Sequence, residues 1–209
     1  MVNAALALAD SEGLAALTIR RLAQALGVTP TALYWHFPDK QAVLDALGDR
    51  LWEETLDRLG PAEADDAWAE IRTLFEALVA VFRRHPVLAP LAPGRGLDCP
   101  AGLTATERAL DQLARVGYDE HRAIAAVNFL LGAALMLVTS VPGATVPDAE
   151  LREELVRRKR AALLTLPPGR YPQVERAVGH LFGWDDPDAY YQFGVDLIIG
   201  GLRSCADGP

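Results

Sequence analysis

An all-α fold is what this chain predicts, and three observations predict it. Apolar residues recur at helical spacing through most of the length, no run alternates with the period of a strand, and Thr, Asp, Gly and Pro stand where helices begin and end. The chain has 209 residues, enough for one ample core or two modest domains, and 51% of them are hydrophobic.

Residues 2–13 form the first helix, with either Leu6, Ala9 and Gly13 or Ala5, Leu8 and Ala9 as its packing stripe. In the second, Ile19, Leu22, Ala23 and Leu26 fall at i, i+3, i+4 and i+7, Thr18 is the natural N-cap, and Gly27 ends it by tolerating positive φ. A third helix starts at once, with Thr29 as cap and Pro30 at the first position, where a missing N–H costs nothing. Two short helices joined by a tight glycine turn make a helix-turn-helix, whose second helix enters the DNA major groove.

Val28 and Leu33 are expected to anchor that second helix inward, leaving Thr31, Tyr34 and Trp35 outward. The rings of Tyr34, Trp35, His36 and Phe37 step round the helix by about 100° each, so they cannot share one core face. Those left outside suit thymine methyls and sugar-phosphate edges, and Phe37 stays open between core and surface. Arg20 and Arg21 lie in a helix first turn, where the macrodipole is positive and an anion is wanted. A phosphate would serve, and so would an ion pair with Asp10 or Glu12. Pro38 breaks the helix, Asp39 caps the next one, and Lys40 lies in its first turn.

The fourth helix, 39–59, turns Leu44, Leu47 and Leu51 inward, and Gly60-Pro61 closes it as the best domain boundary. From Ala64 to His85 a further helix gathers Trp68, Ile71, Phe75, Leu78, Val79 and Phe82 on one face. A loop rich in Pro and Gly follows His85-Pro86, either a pocket rim or a plain connector, and Gly94-Arg95-Gly96 lacks the lysine and spacing of a phosphate loop. Helices are expected at 101–116, 119–139, 147–166, 172–180 and 187–203. Helix 119–139 is apolar nearly all round, which marks it as central, with Asn128 its conspicuous polar residue. Its most apolar run, Phe129 to Val138, is shorter than the roughly 18 residues of a membrane span and reads as a buried helix.

In order, the first helix, the turn, Leu33-Tyr34-Trp35-His36-Phe37-x-x-Lys40 and the helix that follows resemble the TetR family of bacterial transcriptional repressors, closely over Ala4 to about Leu47. The Leu-Tyr-Trp-His segment with its trailing lysine is most similar to the tetracycline-repressor subgroup, and the last helix resembles that of the family's C-terminal domains. The resemblance implies a three-helix DNA-binding head over 1–47, linked by helix 39–59 to a ligand-binding and dimerisation domain over 61–205. By position it assigns DNA contact to Arg20, Thr29, Thr31, Tyr34, Trp35, His36 and Lys40, and Thr18, Arg21 and Pro30 join them from the reading of the motif. Where tetracycline repressors have Gln-Pro-Thr on the recognition helix, this chain has Pro30-Thr31-Ala32, so the base sequence read should differ.

The function expected is a ligand-responsive transcriptional regulator, a homodimeric repressor released from a palindromic operator by a small apolar molecule. The ligand candidates are Phe75, Leu78, Phe82, His85, Leu103, Glu107, Asn128, Phe129 and Met136, and the dimer candidates are Leu131, Leu135, Phe193, Leu197, Ile198 and Gly201. Phe75 and Val79 stand where polar and aromatic clamping residues would align, and the matching histidine is missing, so neither a metal nor a cofactor is expected. His85 and His121 are isolated in sequence, which also suits a surface or helix-end role.

A net charge of −8 argues against a general nucleic-acid binder. The head carries Arg20, Arg21 and Lys40 against Asp10, Glu12, Asp39 and Asp45, so a DNA-reading surface must be local. The acidic head also keeps open an alternative, a small-molecule-binding or protein-interaction module that no longer reads DNA. An enzyme is not expected, because four histidines, Cys99 and scattered carboxylates show neither nucleophile motif nor metal spacing. Two distant cysteines and the absence of a basic-then-apolar leader suggest a reduced cytoplasmic protein with no membrane partner.

Overall fold

The computed structural model describes residues 1–61, 66–141, 146, 148–181 and 186–206. Every regular element among them is a helix: α1 Val2–Glu12, α2 Ile19–Leu26, α3 Pro30–Tyr34, α4 Lys40–Leu59, α5 Ala67–Arg84, α6 Pro100–Arg115, α7 Glu120–Thr139, α8 Ala149–Leu164, α9 Pro172–Ala177 and α10 Pro187–Ala206. The starts expected at residues 64 and 147 lie outside the described residues.

Local chemistry sets the boundaries of the first four helices. Thr18 Oγ1 accepts from Arg21 N (3.1 Å), Thr29 Oγ1 from Ala32 N (3.3 Å) and Asp39 Oδ1 from Ala42 N (2.9 Å). Gly27 ends α2 at φ 67°, ψ 26°, the left-handed conformation that reverses the chain into α3. Ala5, Leu8 and Ala9 of α1 meet Leu22, Ala23, Leu33 and Phe37 in the core of the head, which decides both open readings: α1 uses its second stripe, and Phe37 is core. Val28 corrects the expectation, because it sits in the turn between Gly27 and the cap Thr29 and is 44% exposed. Leu33 alone anchors α3 inward, with Phe37 just beyond its end.

α4 joins head to body, packing on α1 at one end and on α5 and α6 at the other. Val43, Leu47 and Leu51 form its buried stripe, with Leu44 half-buried beside them. Two short 3-10 turns, Ala89–Leu91 and Pro93–Arg95, occupy the loop after α5 and pack tightly on α4. There Trp52 Nε1 donates to Ala92 O (3.0 Å), and Arg95 Nε donates to Asp49 Oδ1 (2.7 Å). At the C-terminal end of α4, Arg108 of α6 donates from Nη1 to Gly60 O (2.8 Å) and pairs with buried Glu70 of α5.

α7 packs against α5, α6 and α10, and Gly194 lets α10 approach so closely that a Cβ there would overlap Leu137. The apolar run expected to be a buried helix lies within a helix of 20 residues that is long and apolar enough to cross a bilayer, and only 33% of its most apolar window is buried. It is one-sided rather than central: Phe129 and Met136 are more than 60% exposed, and Phe193 and Leu197 of α10, which packs on it, are exposed as well.

Candidate functional site

Two sites lie at opposite ends of α4. At the first, the outward face of the helix-turn-helix is an uninterrupted exposed surface. Thr29, Pro30 and Thr31 open it, Tyr34 and His36 continue it, and Trp35, the C-cap of α3, is 87% exposed. Rings so exposed leave apolar area in water that a partner surface could cover. Thr18 is exposed at the start of α2 beside Arg20, which has no ion-pair partner among the described residues.

The charges of the head are sorted by side. Arg21 Nε donates to Glu12 Oε2 (3.1 Å), so the ion-pair reading holds for it, and this bond raises the Arg21 pKa. Lys40 Nζ donates to Leu14 O (2.9 Å), which ties the start of α4 to the turn before α2. Asp10 points away from α3 to His85 of the body, and Asp39 caps α4. Of the head's four carboxylates, Glu12 and Asp10 are thus engaged by Arg21 and His85, Asp39 caps α4, and Asp45 accepts from Gln41 Nε2 (2.8 Å).

The second site is a cavity of about 320 Å³ among α4, α5, α6, α7 and the loop that packs on α4. Trp52 and Thr55 face it from α4, Leu74, Phe75 and Leu78 from α5, and Pro93, Gly96 and Leu97 from the loop. α6 adds Ala105, Thr106, Ala109 and Leu110, and α7 adds Ile124, Val127, Asn128, Leu130 and Leu131. No charged side chain lines it, and Thr55, Thr106 and Asn128 are its polar residues. Such a lining suits an apolar molecule oriented by one or two hydrogen bonds. Thr55 already donates to Leu51 O (2.8 Å), which leaves its oxygen free to accept.

Of the nine ligand candidates, Phe75, Leu78 and Asn128 line this cavity. Phe82 does not, because it is enclosed in the core, and His85 is held by two carboxylates elsewhere. Leu103, Glu107, Phe129 and Met136 are exposed on faces of α6 and α7 that do not reach it. The dimer candidates show the complementary displacement: Leu131 lines the cavity and Leu135 is half-buried, while Gly132 and Met136, one position on, face outward with Phe129. On α10, Phe193, Leu197 and Gly201 are exposed, whereas Ile198 is half-buried against the core. Sequence reasoning missed Trp52, Thr55, Thr106 and Leu97, which come from elements whose meeting no local pattern announces.

Cys99 is the N-cap of α6, its Sγ accepting from Gly102 N (3.3 Å), and burial pushes its thiol pKa up. That is the opposite of what a nucleophilic thiolate needs.

Comparison with known proteins identifies the family. Residues 2–47 match bacterial regulatory proteins of the tetR family, and residues 60–205 match the tetracyclin repressor-like C-terminal domain. The tetracycline repressor protein class C of Escherichia coli is 31% identical over 97% of this chain and 89% of its own length. The transcriptional repressor DrrR1 of Streptomyces coeruleorubidus is 28% identical over 97% of this chain and 76% of its own. Among solved structures, ActR of Streptomyces coelicolor in complex with actinorhodin superposes with a TM-score of 0.71 at 26% identity, covering 99% of this chain and 96% of that one. A possible TetR-family regulator from Streptomyces coelicolor A3(2) gives 0.74 at 28% identity, covering 98% and 97%. These relatives are transcriptional regulators rather than enzymes, and the chain belongs to the TetR family of ligand-responsive, DNA-binding transcriptional regulators.

Proposed function

We propose that this chain is a homodimeric cytoplasmic repressor, released from a palindromic operator by a neutral, largely apolar small molecule that enters the cavity behind α4. The observation that carries the reading is that Trp52 and Thr55, which line the cavity, belong to the same continuous helix that begins just after α3. A ligand that binds the two head poses with different affinity shifts the balance between them, and contact with α4 is how it can distinguish them. A lining without charge favours a neutral ligand, and the bound actinorhodin of the related ActR shows that this fold accommodates a small molecule. We assign the head to 1–47 and the ligand-binding and dimerisation domain to 61–205.

Dimerisation is supported by the outward apolar residues of α7 and α10, Phe129, Met136, Phe193 and Leu197, which lie on two helices packed side by side. Exposed glycines, Gly132 and Gly201, allow a second copy to approach these helices closely. A two-fold pair of heads reads half-sites about 34 Å apart or a little more, hence a palindrome.

The test is a gel-shift titration of the full chain against the DNA flanking its own gene, with nonspecific competitor. Saturable binding to a short palindrome is the expected result. Tyr34→Ala should weaken it at least about tenfold while leaving the dimer intact. Absence of specific binding would leave a dimeric small-molecule-binding protein as the better account.

A further inference from the structure

His85 follows the last residue of α5 and is 2% exposed. Its Nδ1 lies 2.7 Å from Asp10 Oδ2 of α1, and its Nε2 lies 3.1 Å from Glu54 Oε2 of α4. One ring thus joins the head, the connecting helix and the body. A neutral imidazole has one N–H and one lone pair, whereas both of its partners are carboxylates that accept. Only the imidazolium can donate to both.

The two bonds do not respond equally to loss of the proton. Glu54 Oε1 also faces Arg84 Nη1 at 3.6 Å and Arg50 Nη2 at 3.9 Å, so its charge keeps compensation without His85. Asp10 has no such reserve. Its Oδ1 is buried without a hydrogen-bond partner, and among the described residues its ion pair is with His85. The neighbouring Arg83 is directed to Asp188 of α10 instead, at 2.6 Å. Deprotonation of the ring therefore strikes the contact with α1, the one that belongs to the head.

We propose that His85 is a positioning residue for DNA binding: its imidazolium pins α1 to α4 and to the end of α5, and operator affinity follows its protonation. The proposal rests on the DNA-binding reading above. Burial of the ring opposes its charge, but the hydrogen bonds and charges of Asp10 and Glu54 outweigh burial and raise the pKa above the ordinary imidazole value. The sign follows from linkage. The pin is fully present below the ordinary value and is lost as pH rises through the raised one. A polar cleft of about 410 Å³, lined by Asp10, Arg83, Arg84, Arg152 and Tyr191, gives water access to this junction.

The experiment has two readouts on the full chain. In the first, ring resonances are followed against pH, with His85→Gln identifying the signal. His85 should titrate above an ordinary histidine, and Asp10→Asn should move it back down. In the second, affinity for the DNA flanking its own gene is measured between about pH 6 and 9. Wild type should change at least about fivefold around the titration of His85, Asp10→Asn should show that step at lower pH, and His85→Gln should lose it. Parallel profiles for wild type and His85→Gln would overturn the proposal, as would a ring that titrates at or below the ordinary value. If no pH gives specific DNA binding, the DNA reading is what has failed, and the ring titration still decides whether the pin exists. Asp10→Asn keeps the test valid should His85→Gln not fold.

Discussion

The recognition surface and the cavity are served by the same helix, α4, but they are built by different rules. Thr29, Pro30, Thr31, Tyr34, Trp35 and His36 come from eight consecutive positions, and caps within three residues hold them in place. The cavity takes its lining from four helices and a loop, between Trp52 and Leu131. The first surface is specified by covalent neighbours, and the second by how distant elements pack. A change of DNA sequence read can therefore come from one short segment, whereas a change of effector involves several helices at once.

Leu33→Ala should have the largest effect. Leu33 is the buried anchor of α3, and emptying such a site costs about 2–5 kcal/mol. Urea unfolding should show that loss, DNA binding should disappear, and small-molecule binding in the cavity should survive. If both fail together, head and body form one cooperative unit and the contrast between the two regions breaks. Next comes Ala109→Phe, which places a ring in the cavity at an overpacking cost of about 1–3 kcal/mol. Operator binding should persist and become insensitive to the compound that releases the wild type; continued release would place the effector elsewhere. The smallest effect is expected from Glu12→Gln, which frees Arg21 from its ion pair at the edge of the head. If the freed guanidinium reaches a phosphate, the logarithmic salt slope of DNA binding steepens by about 0.9. An unchanged slope would assign Arg21 to the structure of the head rather than to its DNA face.

The same contrast governs how much could be read from the chain. The caps at Thr18, Thr29 and Asp39 and the turn at Gly27 were legible because each is a contact between residues two to four apart. Val28 was misread because the apolar pattern was carried one residue into the turn, where the chain direction changes and the side chain meets water. On α7 apolar residues surround the helix, so composition reveals no phase. Leu131 and Leu135 were placed outward, although the exposed residues are Gly132 and Met136, about 100° further round. The helix-end reading of His85 holds, since it is the C-cap of α5, but its burial and its partners could not be read, because those partners are 75 and 31 residues away in sequence.

The tie at the far end of α4 has a mechanical consequence. Arg108 holds Gly60 O while pairing with Glu70, and with the proposed function in hand this tie is a candidate pivot at the C-terminal end of the helix. With a rise of about 1.5 Å per residue, Trp52 stands about 12 Å along the rod from that point and Lys40 about 30 Å. If α4 pivots there as a rigid rod, a displacement of 1 Å at the cavity wall sweeps the other end, next to α3, by roughly 2.5 Å. On the proposed function, an effector in the cavity need shift α4 only slightly to carry α3 out of register with its groove.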